Sequence, residues 1–256
     1  MPMVKGESKL EEQQYIEQFE LERSYWWFVG RRRIVAALLD AAAISKADEK
    51  LVVDVGCGTG GNLELLSSYG TCVGMDISQF ALSLCREHWN GLLVCADALR
   101  LPLRDCAAKL VAALDVLEHI EDDVNALREF WRVLIGGGVL VLTVPAFKWL
   151  WSGHDIALRH FRRYARAEIE RKLVAVGFEI EKLSFAICPL LPFVFLFRKL
   201  QLIAQIGARK HTAFIRLPWL LNELLIGMLG LEARLIKHIE LPFGISLICR
   251  AVKPSR

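Results

Sequence analysis

Val52-Val53-Asp54-Val55-Gly56-Cys57-Gly58-Thr59-Gly60 reads as an apolar strand running into a glycine-rich turn, with Gly61 as a further glycine. Glycine supplies backbone that turns sharply and leaves no Cβ in the way of a ligand. A helix that opens after such a turn aims its free amides at the same place, which suits a carboxylate or a phosphate. The turn alone serves two kinds of cofactor. Gly56, Gly58 and Gly61 satisfy the dinucleotide spacing G-x-G-x-x-G, and Asp76, twenty residues after Gly56, stands where either kind needs an acid for a ribose hydroxyl pair. Asp54 separates them. A carboxylate beside a pyrophosphate is unfavourable, whereas an amino-acid ligand brings an ammonium group to it. Asp97-Ala98, after the third apolar run, offers a carboxylate to an exocyclic adenine amine, and Asp115 follows the fourth run.

Outward from this turn, short apolar runs recur at residues 72–75, 92–95, 110–114 and 139–144, with helical patterns between them. In one of these, Val124, Leu127, Trp131 and Leu134 share a helix face, and Asp122 is placed to cap it. Ile169, Leu173 and Val176 predict another helix, stopped by Gly177, and strands are expected over 178–183 and 245–252. Strand–helix alternation of this kind predicts an α/β fold with a mainly parallel sheet covered on both faces. Ligands then bind at the carboxyl ends of the strands. The expected organisation is an N-terminal helical lid (1–50), a cofactor-binding core (51–183) with a substrate loop (145–164), an apolar helical insertion (184–243), and the last strand with its tail (244–256). Helices are expected over 9–23 and 31–43 within the first segment.

This order of motifs resembles the class I S-adenosylmethionine-dependent methyltransferases of the type 11 kind, over 51–145 and more weakly over 165–183 and 245–252. The matching segments are VVDVGCGTG, VGMDIS, the acidic residue in CADALRLPL, ALDVLEHIEDD and RVLIGGGVLVLTVP. The resemblance implies a Rossmann-like, seven-stranded sheet and S-adenosyl-L-methionine as cofactor, leaving S-adenosyl-L-homocysteine. It implies that Asp54 and Gly56 meet the methionine part, that Asp76 binds the ribose, that Asp97 and Ala98 meet the adenine end and that Asp115 borders the methionine end, with Cys57, Gly58, Gly60 and Ile77 also binding the cofactor. Two departures stand out. Gly136-Gly137-Gly138 replaces the usual Pro-Gly-Gly, which loosens that turn, and Ala108-Lys109 replaces Phe-Asp at the fourth strand.

The acceptor is expected in the loop after the fifth strand, which leaves the carboxyl edge of the sheet. It carries Trp149, Trp151, His154, Asp155, His160, Arg162, Arg163 and Tyr164. In the functional reading His154 or His160 is a general base oriented by Asp155, and Trp151, Arg162, Arg163 and Tyr164 bind the substrate. In the alternative, Asp155 pairs with an arginine and the histidines tie the loop down. The order W-L-W-S-x-H-D followed by H-x-R-R-Y resembles a bacterial subfamily of the same class. His119 either faces the acceptor or shapes the loop into the next helix. The block Tyr25, Trp26, Trp27 and Arg31 to Arg33 either covers the cofactor, its arginines meeting a carboxylate, or simply docks the N-terminal helix.

The chain has 256 residues, a net charge of +3 and 54% hydrophobic content. That charge argues neither for nor against nucleic acid; with no RNA-binding appendage and no Pro-Pro-Tyr/Trp after the fourth strand, nucleic acid is not the expected substrate. Residues 185–197 form the longest uncharged apolar run and are too few to span a bilayer as a helix. The run lies in the insertion, with a second apolar helix expected over 218–236 and Arg209, Lys210, His211 and Arg216 between. Such a segment suits contact with the inner face of a membrane, a lipid-linked acceptor, a helical cap or a second subunit. The polar start has no apolar signal segment. The seven cysteines lack a C-x-x-C pair, so a cytoplasmic chain without a metal is expected. The leading expectation is a methyltransferase acting at oxygen or carbon of a small or lipid-like molecule. An NAD-dependent oxidoreductase using the same loop and a non-catalytic binding module are the alternatives.

Overall fold

The computed structural model describes residues 9–42, 50–193, 195 and 217–255. Seven strands form one sheet: β1 (Leu51–Val55), β2 (Thr71–Asp76), β3 (Leu92–Cys95), β4 (Ala108–Leu114), β5 (Leu134–Pro145), β6 (Glu179–Ala186) and β7 (Ser246–Val252). Their order is β3-β2-β1-β4-β5-β7-β6, and β7 runs antiparallel to both neighbours. The chain order reverses between β1 and β4, so a crevice opens at the carboxyl ends of those two strands. The expected α/β, Rossmann-like sheet is the one observed.

The α-helices among the described residues are α1 (Lys9–Leu21), α2 (Trp26–Ala41), α3 (Leu63–Ser67), α4 (Gln79–Cys85), α5 (Asp123–Val133), α6 (Gly153–Ala157), α7 (Arg166–Val176) and α8 (Trp219–Ile236). β4 is buried along its whole length, as a central strand covered on both faces must be. One core layer joins the sheet to α5 and α7 through Leu127, Phe130, Ile169 and Leu173. The other joins it to α2, α3 and α8 through Leu38, Leu66, Leu229 and Ile236. Asp122 caps α5 by accepting the Asn125 amide at 3.2 Å, and Gly177 ends α7 at φ +109°.

Several boundaries differ from the sequence expectation. The second helix begins at Trp26 rather than 31, so the aromatic block is helical. Its first amide donates to Asn222 Oδ1 at 2.9 Å, a cap supplied by α8 from nearly two hundred residues away. β5 begins at Leu134 rather than 139. The triple glycine does not loosen this turn, because the Gly137 amide donates to the Lys253 carbonyl at 2.8 Å and the Lys253 amide to Gly138 at 2.9 Å. In the apolar insertion, α8 packs on α2, and Gly30 allows it: a Cβ there would lie 2.8 Å from Leu229 Cβ. Ile187 turns at φ +60°, with its amide and that of Cys188 donating to the buried Glu232. Arg209, Lys210, His211 and Arg216 lie outside the described residues.

Candidate active site

A cavity of about 1280 Å³ opens at the carboxyl edge. Its floor is the turn after β1. Gly56, Gly58 and Gly60 all adopt left-handed φ, at +68°, +54° and +97°. A Cβ on Gly56 would come within 2.5 Å of Val116, while one on Gly58 would point at the Gln18 side chain of α1. Asp54 lies beneath this turn, 1% exposed, and its Oδ2 has no hydrogen-bond partner. Burial pushes its carboxyl up to about 8, against the opposing pull of Arg31. The Asp76 carboxylate accepts the amides of Gly58 and Ser78, each at 2.8 Å. It thereby ties β2 to the glycine turn. Asp97 is exposed at the cavity edge and accepts the Leu99 amide at 2.9 Å. Gly56, Cys57, Gly58, Asp76, Ile77, Asp97, Ala98 and Asp115, the sequence candidates for the cofactor, all line the cavity, whereas Asp54 and Gly60 sit behind its wall.

The N-terminal helices form the opposite wall. Arg31 pairs with Asp115, which also accepts from Thr143 Oγ1 at 2.8 Å and is held at φ +58°. A non-glycine residue in that conformation is uncommon and is kept there by these two partners. The carboxylate that Arg31 meets is the protein's own Asp115. Glu22, 1% exposed, accepts from Thr59 Oγ1 at 2.6 Å and so fastens the end of α1 to the glycine turn. Burial raises its carboxyl above the usual range. Neither Glu22 nor the Arg31 pairing is visible in the sequence, because both join segments distant in the chain.

The loop after β5 supplies the third wall. Asp155 is fully buried and accepts from Ser152, from Arg163 Nε at 2.7 Å and from His160 Nδ1 at 3.1 Å. Burial would raise its carboxyl, but the His160 and Arg163 hydrogen bonds outweigh that and hold it well below the usual range. Arg162 donates to the Glu121 carbonyl at 2.6 Å and lies 3.2 Å from Asp123. Tyr164 is buried, its hydroxyl donating to Asp123 at 2.7 Å. His154, His160 and Arg163 line the cavity; Trp151, Asp155, Arg162 and Tyr164 do not. The structure therefore brings two of the three proposed catalytic residues to the cavity and gives Asp155 the task of holding one of them.

Glu118 and His119 complete this region from a 3₁₀ turn after β4. His119 stands edge-on to His160, ring centroids 4.6 Å apart. The cavity walls strip water from His119 and the neighbouring imidazole adds to the effect, so its ring stays neutral down to about 4 even though its outer edge is open. Glu118 is 1% exposed, its Oε2 has no partner, and burial pushes its carboxyl up to about 8. An acid and a histidine adjacent at a strand's carboxyl end were the only sequence signal for this pair.

Residues 53–142 match a family described as a methyltransferase domain. Over 164 residues the chain is 29% identical to a Mycolicibacterium smegmatis protein named "Probable S-adenosylmethionine-dependent methyltransferase", covering 62% of each chain. It is 33% identical over 101 residues to a Bos taurus protein named "Probable tRNA methyltransferase 9B", covering 38% of this chain and 22% of the other. The chain spans 62%, 56% and 58% of the length of three curated relatives that it matches. Among solved structures, one chain of the complex between the Haloferax volcanii Trm112 methyltransferase activator and a protein described as a methyltransferase superposes with a TM-score of 0.61 at 14% identity. That match covers 98% of this chain and 100% of the other, and is a likeness of fold.

Proposed function

From a chain that carries a methyltransferase domain on a class I, Rossmann-like sheet, we propose an S-adenosylmethionine-dependent methyltransferase that delivers a methyl group to oxygen or carbon of a small or lipid-like acceptor. The observation that carries this reading is Asp54: a buried carboxylate oxygen without a partner, directly under a glycine turn that a Cβ would obstruct. An ammonium group satisfies such an oxygen, whereas a pyrophosphate repels it. The bound cofactor supplies a sulfonium methyl, transferred as the carbon–sulfur pair returns to sulfur. The chain's residues bind and align. The Gly56–Gly60 turn and Asp54 hold the amino-acid end, Asp76 faces the ribose, and Asp97 with Ala98 the adenine. Arg31 and Asp115 close the methionine end. His154 and His160 face the remaining space, where either takes the proton of an acceptor hydroxyl.

Calorimetry with S-adenosylhomocysteine and with NAD tests the reading. Binding of the thioether, weakened in Asp54→Asn, supports it; binding of NAD alone overturns it. RNA is the competing acceptor class, since one relative carries a tRNA methyltransferase name.

A lipid-like acceptor is favoured by α8. Leu229, Ala233 and Ile236 pack inward, while Leu220, Leu224, Leu231 and Leu235 form an exposed row on another face. No helix among the described residues is long and apolar enough to cross a membrane. An exposed apolar row on a short helix suits lying in an interface.

A further inference from the structure

Three side chains converge on one point of the acceptor side of the cavity: Glu118, His119 and His160. A ligand atom from each lies within 4.8 Å of the other two. The three come from two separate loops, after β4 and after β5, so their meeting is a product of the fold and not of sequence proximity. Each is prepared to offer a lone pair. The Asp155 carboxylate holds Nδ1 of His160 at 3.1 Å, so Nε2 is the ring nitrogen it does not engage. His119 stands edge-on to the His160 ring, with centroids 4.6 Å apart. Glu118 is buried, yet its Oε2 has no partner. The nearest arginines are engaged elsewhere, Arg31 with Asp115 and Arg163 with Asp155.

A carboxylate that fixes the outer nitrogen of a histidine, as Asp155 does for His160, is a usual outer support of metal-bound imidazoles. Two histidines and one carboxylate form a ligand set for divalent first-row ions that leaves positions open for an exogenous oxygen. We propose that Glu118, His119 and His160 bind a divalent transition-metal ion whose open positions receive oxygen atoms of the methyl acceptor. The acceptor class is then a molecule presenting a hydroxyl, alone or beside a second oxygen, to a Lewis acid. With His160 occupied as a ligand, His154 is the imidazole left on the cavity wall to take the proton. The cysteine pattern predicts no metal centre; this one is built from nitrogen and oxygen donors, which cysteine spacing does not report.

The acceptor part of this proposal rests on the methyltransferase reading, whereas the metal site itself does not. Metal-stripped protein is titrated with Co2+ and with Zn2+ by calorimetry and, for Co2+, by visible absorption. One ion per chain is expected, with affinity lowered at least tenfold in His119→Ala and in His160→Ala and unchanged in His238→Ala. Circular dichroism and thermal melting of the same variants show that they are folded. Should either variant fail that check, Glu118→Gln, which keeps the side-chain shape, takes its place. Absence of a stoichiometric ion, or undiminished uptake in the folded variants, overturns the site. Uptake of the ion by a chain that ignores S-adenosylhomocysteine upholds the site and overturns the methyltransferase reading instead.

Discussion

Asp54 is a residue whose charge depends on what lies above it. Free, it holds its proton up to about pH 8; with an ammonium group bound, it ionises. Binding of S-adenosylhomocysteine at pH 7 should therefore release close to one proton, seen by calorimetry in buffers of different ionisation enthalpy. Asp54→Asn should abolish that release and weaken binding roughly 10- to 100-fold, the worth of a charge-assisted hydrogen bond. The same group sets a slope in stability. Unfolded, Asp54 loses its proton near the ordinary carboxylate value, so between about pH 4 and pH 8 the folded state binds more protons than the unfolded one. Its contribution to stability falls as pH rises through that window and is flat above it. Melting curves of the ligand-free chain should show this decline, reduced in Asp54→Asn. Asp54 was legible in the sequence because strand, acid and glycines are contiguous. Arg31 with Asp115 and Glu22 with Thr59 were not, since each pair is separated by dozens of residues and only the folded chain joins them.

Among the elements, strands were legible to within a few residues where they are buried runs, and less so where pairing extends them. β5 starts early because Leu134 pairs with Ala108 of β4 and Gly137 and Gly138 bond to Lys253 at the other end of the chain, partners that no local pattern announces. The start of α2 was misplaced for the same reason, its cap coming from Asn222. The packing of α2 on α8 yields a direct test. Gly30 has no room for a side chain against Leu229. Gly30→Val should lower stability by about 1–3 kcal/mol, the usual cost of overpacking, measured by denaturant unfolding. Glu232 is the second joint, accepting two amides at the Ile187 turn. Glu232→Ala leaves both without a partner and should cost about 2 kcal/mol or more. An acid inside an apolar helix was visible in the sequence, but its partners were not.

At the scale of the whole molecule, the leucine row of α8 stands exposed and the cavity opens at the carboxyl edge of the sheet. Co-sedimentation with anionic liposomes should detect the chain, and Leu220→Ser combined with Leu224→Ser should reduce the bound fraction several-fold with unchanged circular dichroism. No sedimentation of the unsubstituted chain would remove the membrane contact from the proposal.

The N-terminal wall of the cavity also gives the protein an optical reporter of its own. Trp26 and Trp27 both line it, their rings edge-to-face at 5.5 Å, while Trp219 stands exposed on α8. An adenosyl ligand entering beside the first two changes the polarity around their indoles, whereas Trp89, Trp131, Trp149, Trp151 and Trp219 do not line the cavity and keep their surroundings. Intrinsic emission should therefore shift on addition of S-adenosylhomocysteine in the native chain and stay still when Trp26 and Trp27 are both replaced by phenylalanine. Occupancy can be followed in real time without a label.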